Sequence, residues 1–200
     1  MRFIFLKEID STQKYLLSLL KENKITPPVC IWSDYQTNGI GSRGNRWIGE
    51  KGNLFFSFAF KKKEFDFVPV ESLSIYFGWI IKKVLNNFGS KVLLKWPNDL
   101  YLKKKVGGVI TQITGNNLVC GIGINTFFAP EGFDCLDIKI KNDKILESFF
   151  EEIEKKIPFE EVITEYKKEF EISKKRFNIK GSLSEDGALI KNTKKVYSKR

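Results

Sequence analysis

Four strand-like runs, at 92–96, 99–102, 106–114 and 117–125, follow one another with joints of only a few residues. Joints that short connect antiparallel neighbours, because a parallel pair needs a crossover of roughly a dozen residues or more. Asn116-Asn117 is the expected hairpin turn between the last two runs. This block rules out a regular βαβα alternation. The rest of the chain must therefore pack as helices around a meandering sheet.

Upstream, 3–9 reads as a first strand, and Asp10-Ser11-Thr12 can cap a helix whose Leu16, Leu17, Leu19 and Leu20 recur at helical spacing. Pro27-Pro28 ends it, and 29–32 is a short buried strand. The polar stretch 34–51 carries Gly39, Gly41, Gly44 and Gly49 and predicts a long functional loop. Alternation over 53–60 predicts a strand rich in phenylalanine, and 69–88 a helix. Two amphipathic helices, 145–157 and 159–170 extending to 176, flank Pro158. From Asn178 onward, Gly181 and Glu185-Asp186-Gly187 suggest a single hairpin and a basic tail. The expected fold class is α/β (α+β), a mixed, largely antiparallel sheet flanked by helices.

Composition narrows the chemistry. The chain has no histidine, which removes Ser-His and Cys-His nucleophiles and nearly all zinc-hydrolase sites. Catalysis is left to lysine, carboxylates, backbone donors or a metal brought by the substrate. Lys+Arg 34 against Asp+Glu 24 gives a net charge of +10. That charge favours an anionic partner, or is simply a lysine-rich surface. Cys30, Cys120 and Cys135 are widely spaced and odd in number, as expected of a reduced cytoplasmic protein. No apolar run approaches a membrane span, and the N-terminus is broken by Lys7 and Glu8, so neither a membrane anchor nor a signal peptide is expected.

Four constellations can carry chemistry. The loop Gln36-Thr37-Asn38-Gly39-Ile40-Gly41-Ser42-Arg43-Gly44-Asn45-Arg46-Trp47 can aim backbone N–H groups at an anion, or be a bare surface loop. It fits neither a P-loop nor a dinucleotide fingerprint. Lys95-Trp96-Pro97-Asn98-Asp99 sets a lysine, an amide and a carboxylate on a turn with a fixed φ, or is only a capped turn with a core tryptophan. Lys105 opens Val106-Gly107-Gly108-Val109-Ile110, where two glycines weaken a strand unless something must approach closely. In Gly121-Ile122-Gly123-Ile124-Asn125, alternate glycines strip one face of a strand, leaving a flat wall, and Asn125 can contact a base, ribose or phosphate.

Taken in order, these motifs resemble the biotin–protein ligase family over nearly the whole chain. They are Asp10-Ser11-Thr12-Gln13, Tyr35-Gln36 leading into the glycine loop, Lys95 to Asp99, Lys105 to Gly108, and Gly121 to Asn125. The resemblance implies the fold shared by class II synthetases and biotin ligases. It also implies a two-step reaction: biotin and Mg-ATP form biotinyl-5′-AMP, and a lysine of a carboxylase's biotin carboxyl carrier domain then takes the biotinyl group. By the same resemblance Ser11, Thr12, Gln13 and Gln36 would bind biotin's ureido end, and Gly108 and Ile110 would line its ring and tail. Lys105 would bridge the biotin carboxylate and the α-phosphate, and Asn98 and Asp99 would lie near the Mg-phosphate region or the incoming lysine, which Asp99 could orient or deprotonate. Gly39, Ile40, Gly41, Ser42, Arg43, Trp47, Asn98 and Asn125 would hold the nucleotide and adenylate. Mg2+ would arrive on ATP, with no metal held by protein alone.

The family's loop usually reads G-R-G-R-x-G, but Ile40 and Ser42 replace both arginines here. The adenylate is therefore expected to form but to leak. Residues 1–177 are expected to form the catalytic domain and 178–200 a remnant of a small C-terminal β domain. With no room for a helix-turn-helix before the first strand, DNA binding is not expected. Either a monomer or a homodimer fits. The alternatives are a lipoate or octanoate ligase or transferase, which shares the chemistry, and a basic nucleic-acid-binding protein without catalysis.

Overall fold

The computed structural model describes residues 1–197, apart from the Arg43 side chain. In chain order the elements are β1 (Arg2–Leu6), α1 (Thr12–Lys21), β2 (Val29–Ser33), β3 (Gly39–Ile40), β4 (Arg46–Trp47), β5 (Leu54–Lys61), α2 (Leu73–Asn87), β6 (Leu93–Lys95), β7 (Asp99–Tyr101), β8 (Lys105–Thr114), β9 (Asn117–Ile124), α3 (Asn142–Glu154), α4 (Phe159–Arg176), β10 (Ser182–Leu183), β11 (Leu189–Lys191) and β12 (Lys194–Val196). Seven strands form one sheet in the order β1-β2-β5-β9-β8-β7-β6. Only β1–β2 is parallel and the other pairs are antiparallel. This is the mixed, largely antiparallel sheet expected from the short joints.

The phenylalanine-rich β5 explains the layering. Phe56 and Phe58 point to one face, where their rings meet Phe149, Phe150 and Phe77. That face carries the main core under α2, α3 and α4. α2 is buried almost all round, Leu73 through Ile81 without a break, as expected of a helix lying between a sheet and other helices. α4 begins after Pro158 with Glu160 and Glu161 in its first turn, and ends on Lys174, Lys175 and Arg176. Both ends thus complement the helix dipole.

Among the helices of the described residues, the opposite face carries only α1. Ser11 caps it, its hydroxyl accepting from the Lys14 N–H. Leu16 and Leu20 then pack on Val29, Ile31, Ala59 and Val119. One short helix cannot cover seven strands. The face beyond its N-terminus stays open, and Ser57, Gly108, Ile110 and Gly121 lie there.

Some expectations are corrected. The first strand stops at Leu6, and Ile9 instead makes an isolated bridge to Gln36, clasping the start of the glycine loop. The hairpin turn is Gly115-Asn116, with Gly115 at φ +54°, so glycine takes the left-handed position. Within the expected loop, β3 and β4 pair Gly39 with Trp47 and Ile40 with Arg46. The C-terminal segment makes three antiparallel strands instead of one hairpin. Its expected tail at 198–200 lies outside the described residues. The Pro27–Pro28 and Trp96–Pro97 peptides are cis.

Candidate active site

The open face forms a cleft with about 420 Å³ of empty space, counted out into the solvent at its mouth. Ser11, Thr12, Gln13, Gln36, Ile40, Gly41, Ser42, Trp47, Asn98, Asp99, Lys105, Gly108 and Ile110 line it together. Most of the residues singled out from the sequence therefore converge, although they are spread over a hundred positions.

One end is a buried polar cluster. The Gln36 amide oxygen accepts from the Thr12 N–H at 2.8 Å and the Thr12 hydroxyl at 3.1 Å. Thr12 Oγ1 also lies 2.9 Å from Ser57 Oγ. With its oxygen occupied, Gln36 is left with its Nε2 as a donor. Gly39 does not line the cleft. A Cβ there would stand 2.8 Å from Gln36 Nε2, so its role is to leave room for that amide. Gln13 Oε1 is buried without a protein partner, an acceptor held ready inside the cleft.

The glycines divide into two kinds. Gly121 and Gly123 do strip a strand face, but protein fills the space: their Cβ positions would lie 2.7 Å from Gln13 Oε1 and 2.8 Å from the Trp47 ring. Gly107 faces the core, and the close approach there is the Gly123 carbonyl at 2.8 Å, not a ligand. Gly108 has only ordinary contacts, to Asp99 and Lys105 at 3.5 Å.

At the other end Lys105 Nζ pairs with Asp99 Oδ1 at 2.6 Å, and both side chains are about a quarter exposed. The ammonium also stands 5.4 Å from the Trp47 ring centre. Asn98 fixes this arrangement: its Nδ2 donates to the Val109 carbonyl at 2.7 Å, and the Val109 N–H donates to its carbonyl at 2.9 Å. Lys95 lies elsewhere, over the rings of Tyr101 and Phe177. Past Lys105 the cleft opens into a wider groove edged by Arg46, Lys103, Lys104, Ile48 and Phe133. Asp99 is the carboxylate lining both spaces. Among the described residues no three His, Cys, Asp or Glu side chains converge as a metal site.

Asn125 departs from expectation. It is 1% exposed and does not line the cleft. Its Nδ2 donates to the Asp134 carbonyl and its backbone carbonyl accepts from the Leu136 N–H, so it anchors the 134–136 segment, while its Oδ1 is buried without a protein partner. The Arg43 side chain lies outside the described set. Ser57 was not anticipated. Its signal was a lone hydroxyl among phenylalanines in β5, which is also how an outward-facing position reads. Asn53, likewise unanticipated, accepts from the Phe127 and Phe128 N–H groups and holds that loop.

The chain matches the biotin/lipoate A/B protein ligase family over residues 5–126. It is 38% identical over 125 residues to the bifunctional ligase/repressor BirA of Escherichia coli, covering 58% of this chain but only 38% of that protein's length. The structure of biotin acetyl coenzyme A carboxylase synthetase from Helicobacter pylori, with bound biotinylated ATP, superposes with a TM-score of 0.90 at 36% identity, covering 98% of this chain and 99% of that one. The biotin protein ligase of Aquifex aeolicus, in complex with biotin and ATP, gives 0.76 at 26% identity, covering 98% and 96%. With a family match over more than half its length and the cleft built at that family's motifs, the chain belongs to the biotin/lipoate A/B protein ligase family.

Proposed function

We propose that the protein is an ATP-dependent biotin–protein ligase, acting in the cytoplasm on the biotin carboxyl carrier domain of a carboxylase. The observation that carries this reading is the place of the Lys105–Asp99 pair, at the junction of a small, polar-ended cleft and a wide basic groove. A bicyclic ring with a urea at one end and a carboxylate on a flexible tail matches that sequence of environments. The urea N–H groups meet Gln13 Oε1, and its carbonyl meets the Ser57 hydroxyl and the Gln36 Nε2 donor, which Thr12 orients by occupying the Gln36 amide oxygen. The tail runs past Ile110 and Gly108 to Lys105.

In the first step a biotin carboxylate oxygen attacks the α-phosphorus of ATP. The new O–P bond forms as the bond to the bridging oxygen breaks, and pyrophosphate leaves with the electron pair. Lys105 stands where negative charge gathers, and a preplaced cation there favours the transition state over the ground state. Asp99 holds the ammonium in place. In the second step a carrier lysine, as the neutral amine, attacks the acyl carbon; the C–N bond forms, the C–O bond breaks as AMP leaves with the electron pair, and the amine's proton passes to the Asp99 carboxylate, which lines both spaces. Residues 1–177 supply these groups, and 178–200 act as an adjunct. Magnesium ion arrives on the triphosphate, and no residue cluster of the chain is assigned to it.

The test is biotin-dependent exchange of labelled pyrophosphate into ATP. Exchange with biotin but not with lipoate or octanoate is expected. Exchange only with the latter acids, or none at all, overturns the reading.

A further inference from the structure

The small sheet β10-β11-β12 reaches the catalytic turn through the Glu185-Asp186-Gly187 segment. The Trp96 indole N–H donates to the Gly187 carbonyl at 3.1 Å. The Ser72 hydroxyl donates to the Asp186 carbonyl. Gly187 sits at φ +77°, and a Cβ there would lie 2.6 Å from Ser72 Oγ and 3.0 Å from Ile75 Cδ1. The segment is itself braced: Ala188 and Leu189 are at most 1% exposed, and the Asp186 carboxylate is bonded by Ser184, Lys195 and Tyr197. On the far side of Trp96 come Pro97, Asn98 with its two bonds to Val109, and Asp99 paired with Lys105. A continuous run of contacts thus joins the C-terminal sheet to the reacting ammonium.

We propose that this segment is a positioning element for the reacting end of the cleft. It fixes Trp96, and Trp96-Pro97-Asn98 fixes where Asp99 holds Lys105. Trp96 does not line the cleft, so it acts through its neighbours. The ring end of the cleft rests on α1, β5 and Gln36, held by hydrogen bonds among Thr12, Gln36 and Ser57. The proposal rests on the biotin-activating function above.

Trp96→Phe keeps the ring and removes the donor, and Gly187→Ala unseats the turn. Each is expected to bind biotin within about twofold of the natural chain, as for sites without shared partners. Each is expected to lose about tenfold or more in the rate of pyrophosphate exchange at saturating biotin and ATP, since small misplacements of reacting groups are costly. The double variant should lose no more than the worse single one, because both break the same link. Natural rates in either variant, parallel loss of affinity and rate, or losses that multiply would each overturn the proposal. If Gly187→Ala does not fold, Trp96→Phe carries the test, with calorimetric biotin stoichiometry counting the folded sites. If the natural chain shows no biotin-dependent exchange, the functional reading fails by itself. Positioning is then read from hydrogen exchange at Asn98 and Val109, which should quicken in Trp96→Phe; unchanged exchange refutes it.

Discussion

At the ring end of the cleft Thr12, Gln36 and Ser57 are at most 9% exposed and hydrogen-bonded to one another, whereas at the phosphate end Lys105 and Asp99 are about a quarter exposed and flanked by strands two residues long. Physical chemistry accounts for the contrast. An uncharged urea is recognised best in a dry site whose own polar groups are already ordered, because unpaired buried polar groups are costly. A triphosphate must enter and leave with its charge, and fully burying the groups that meet it would cost more than their pairing returns. On the proposed function, binding is thus prebuilt and the reacting end is completed by its ligands.

The contrast is broken most severely by Lys105→Met. Pyrophosphate exchange should fall roughly a hundredfold to a thousandfold, the usual loss of one preorganised charge-stabilising group, while biotin affinity measured by calorimetry falls far less. Gly121→Val attacks the other end, pushing on Gln13 Oε1, Ile110 and Ser57. It should cost roughly 1–3 kcal/mol of biotin affinity, as overpacking does, with the residual rate at saturation largely kept. If the two variants behave alike, the two ends are not separate.

Smaller effects sharpen the comparison. Ile40→Arg/Ser42→Arg restores two cations at the phosphate end and should slow release of the adenylate roughly tenfold, about the worth of one charge-assisted hydrogen bond. Stopped release with labelled biotin measures it, and equal release rates would show that the loop does not govern retention. The smallest effect concerns acid. Burial pushes the Asp186 carboxyl up, but hydrogen bonds from Lys195, Ser184, Tyr197 and the Ala188 N–H outweigh it, leaving the group well below its ordinary value. Its contribution to stability is therefore full above the unfolded carboxylate pKa of about 3.9 and lost as pH falls below that. Seating of the C-terminal sheet, followed by tryptophan fluorescence, should weaken there, and Asp186→Asn should flatten the acid limb.

The meander was legible because it depends on a local signal, its short joints, and Lys105 stood out as a lysine opening a glycine-bearing strand, whereas most of the cleft lining was reached only through the resemblance of the motifs to a known family. What was not legible depends on neighbours distant in sequence. Asn125 reads as an exposed strand end until residues 134–136 fold over it. Gly107 and Gly123 look like ligand-facing gaps, yet the Gly123 carbonyl and the Trp47 ring occupy the space. The third C-terminal strand is short and exposed, with too little hydrophobic pattern to announce itself.

The most direct test of the central claim is the intact mass of a biotin carboxyl carrier domain incubated with the natural chain, biotin and Mg-ATP. One added biotinyl group on a single carrier lysine, absent without ATP and not replaced by octanoyl or lipoyl when those acids are supplied, is the predicted result. An unchanged carrier mass, or transfer of octanoate or lipoate in preference to biotin, would contradict it.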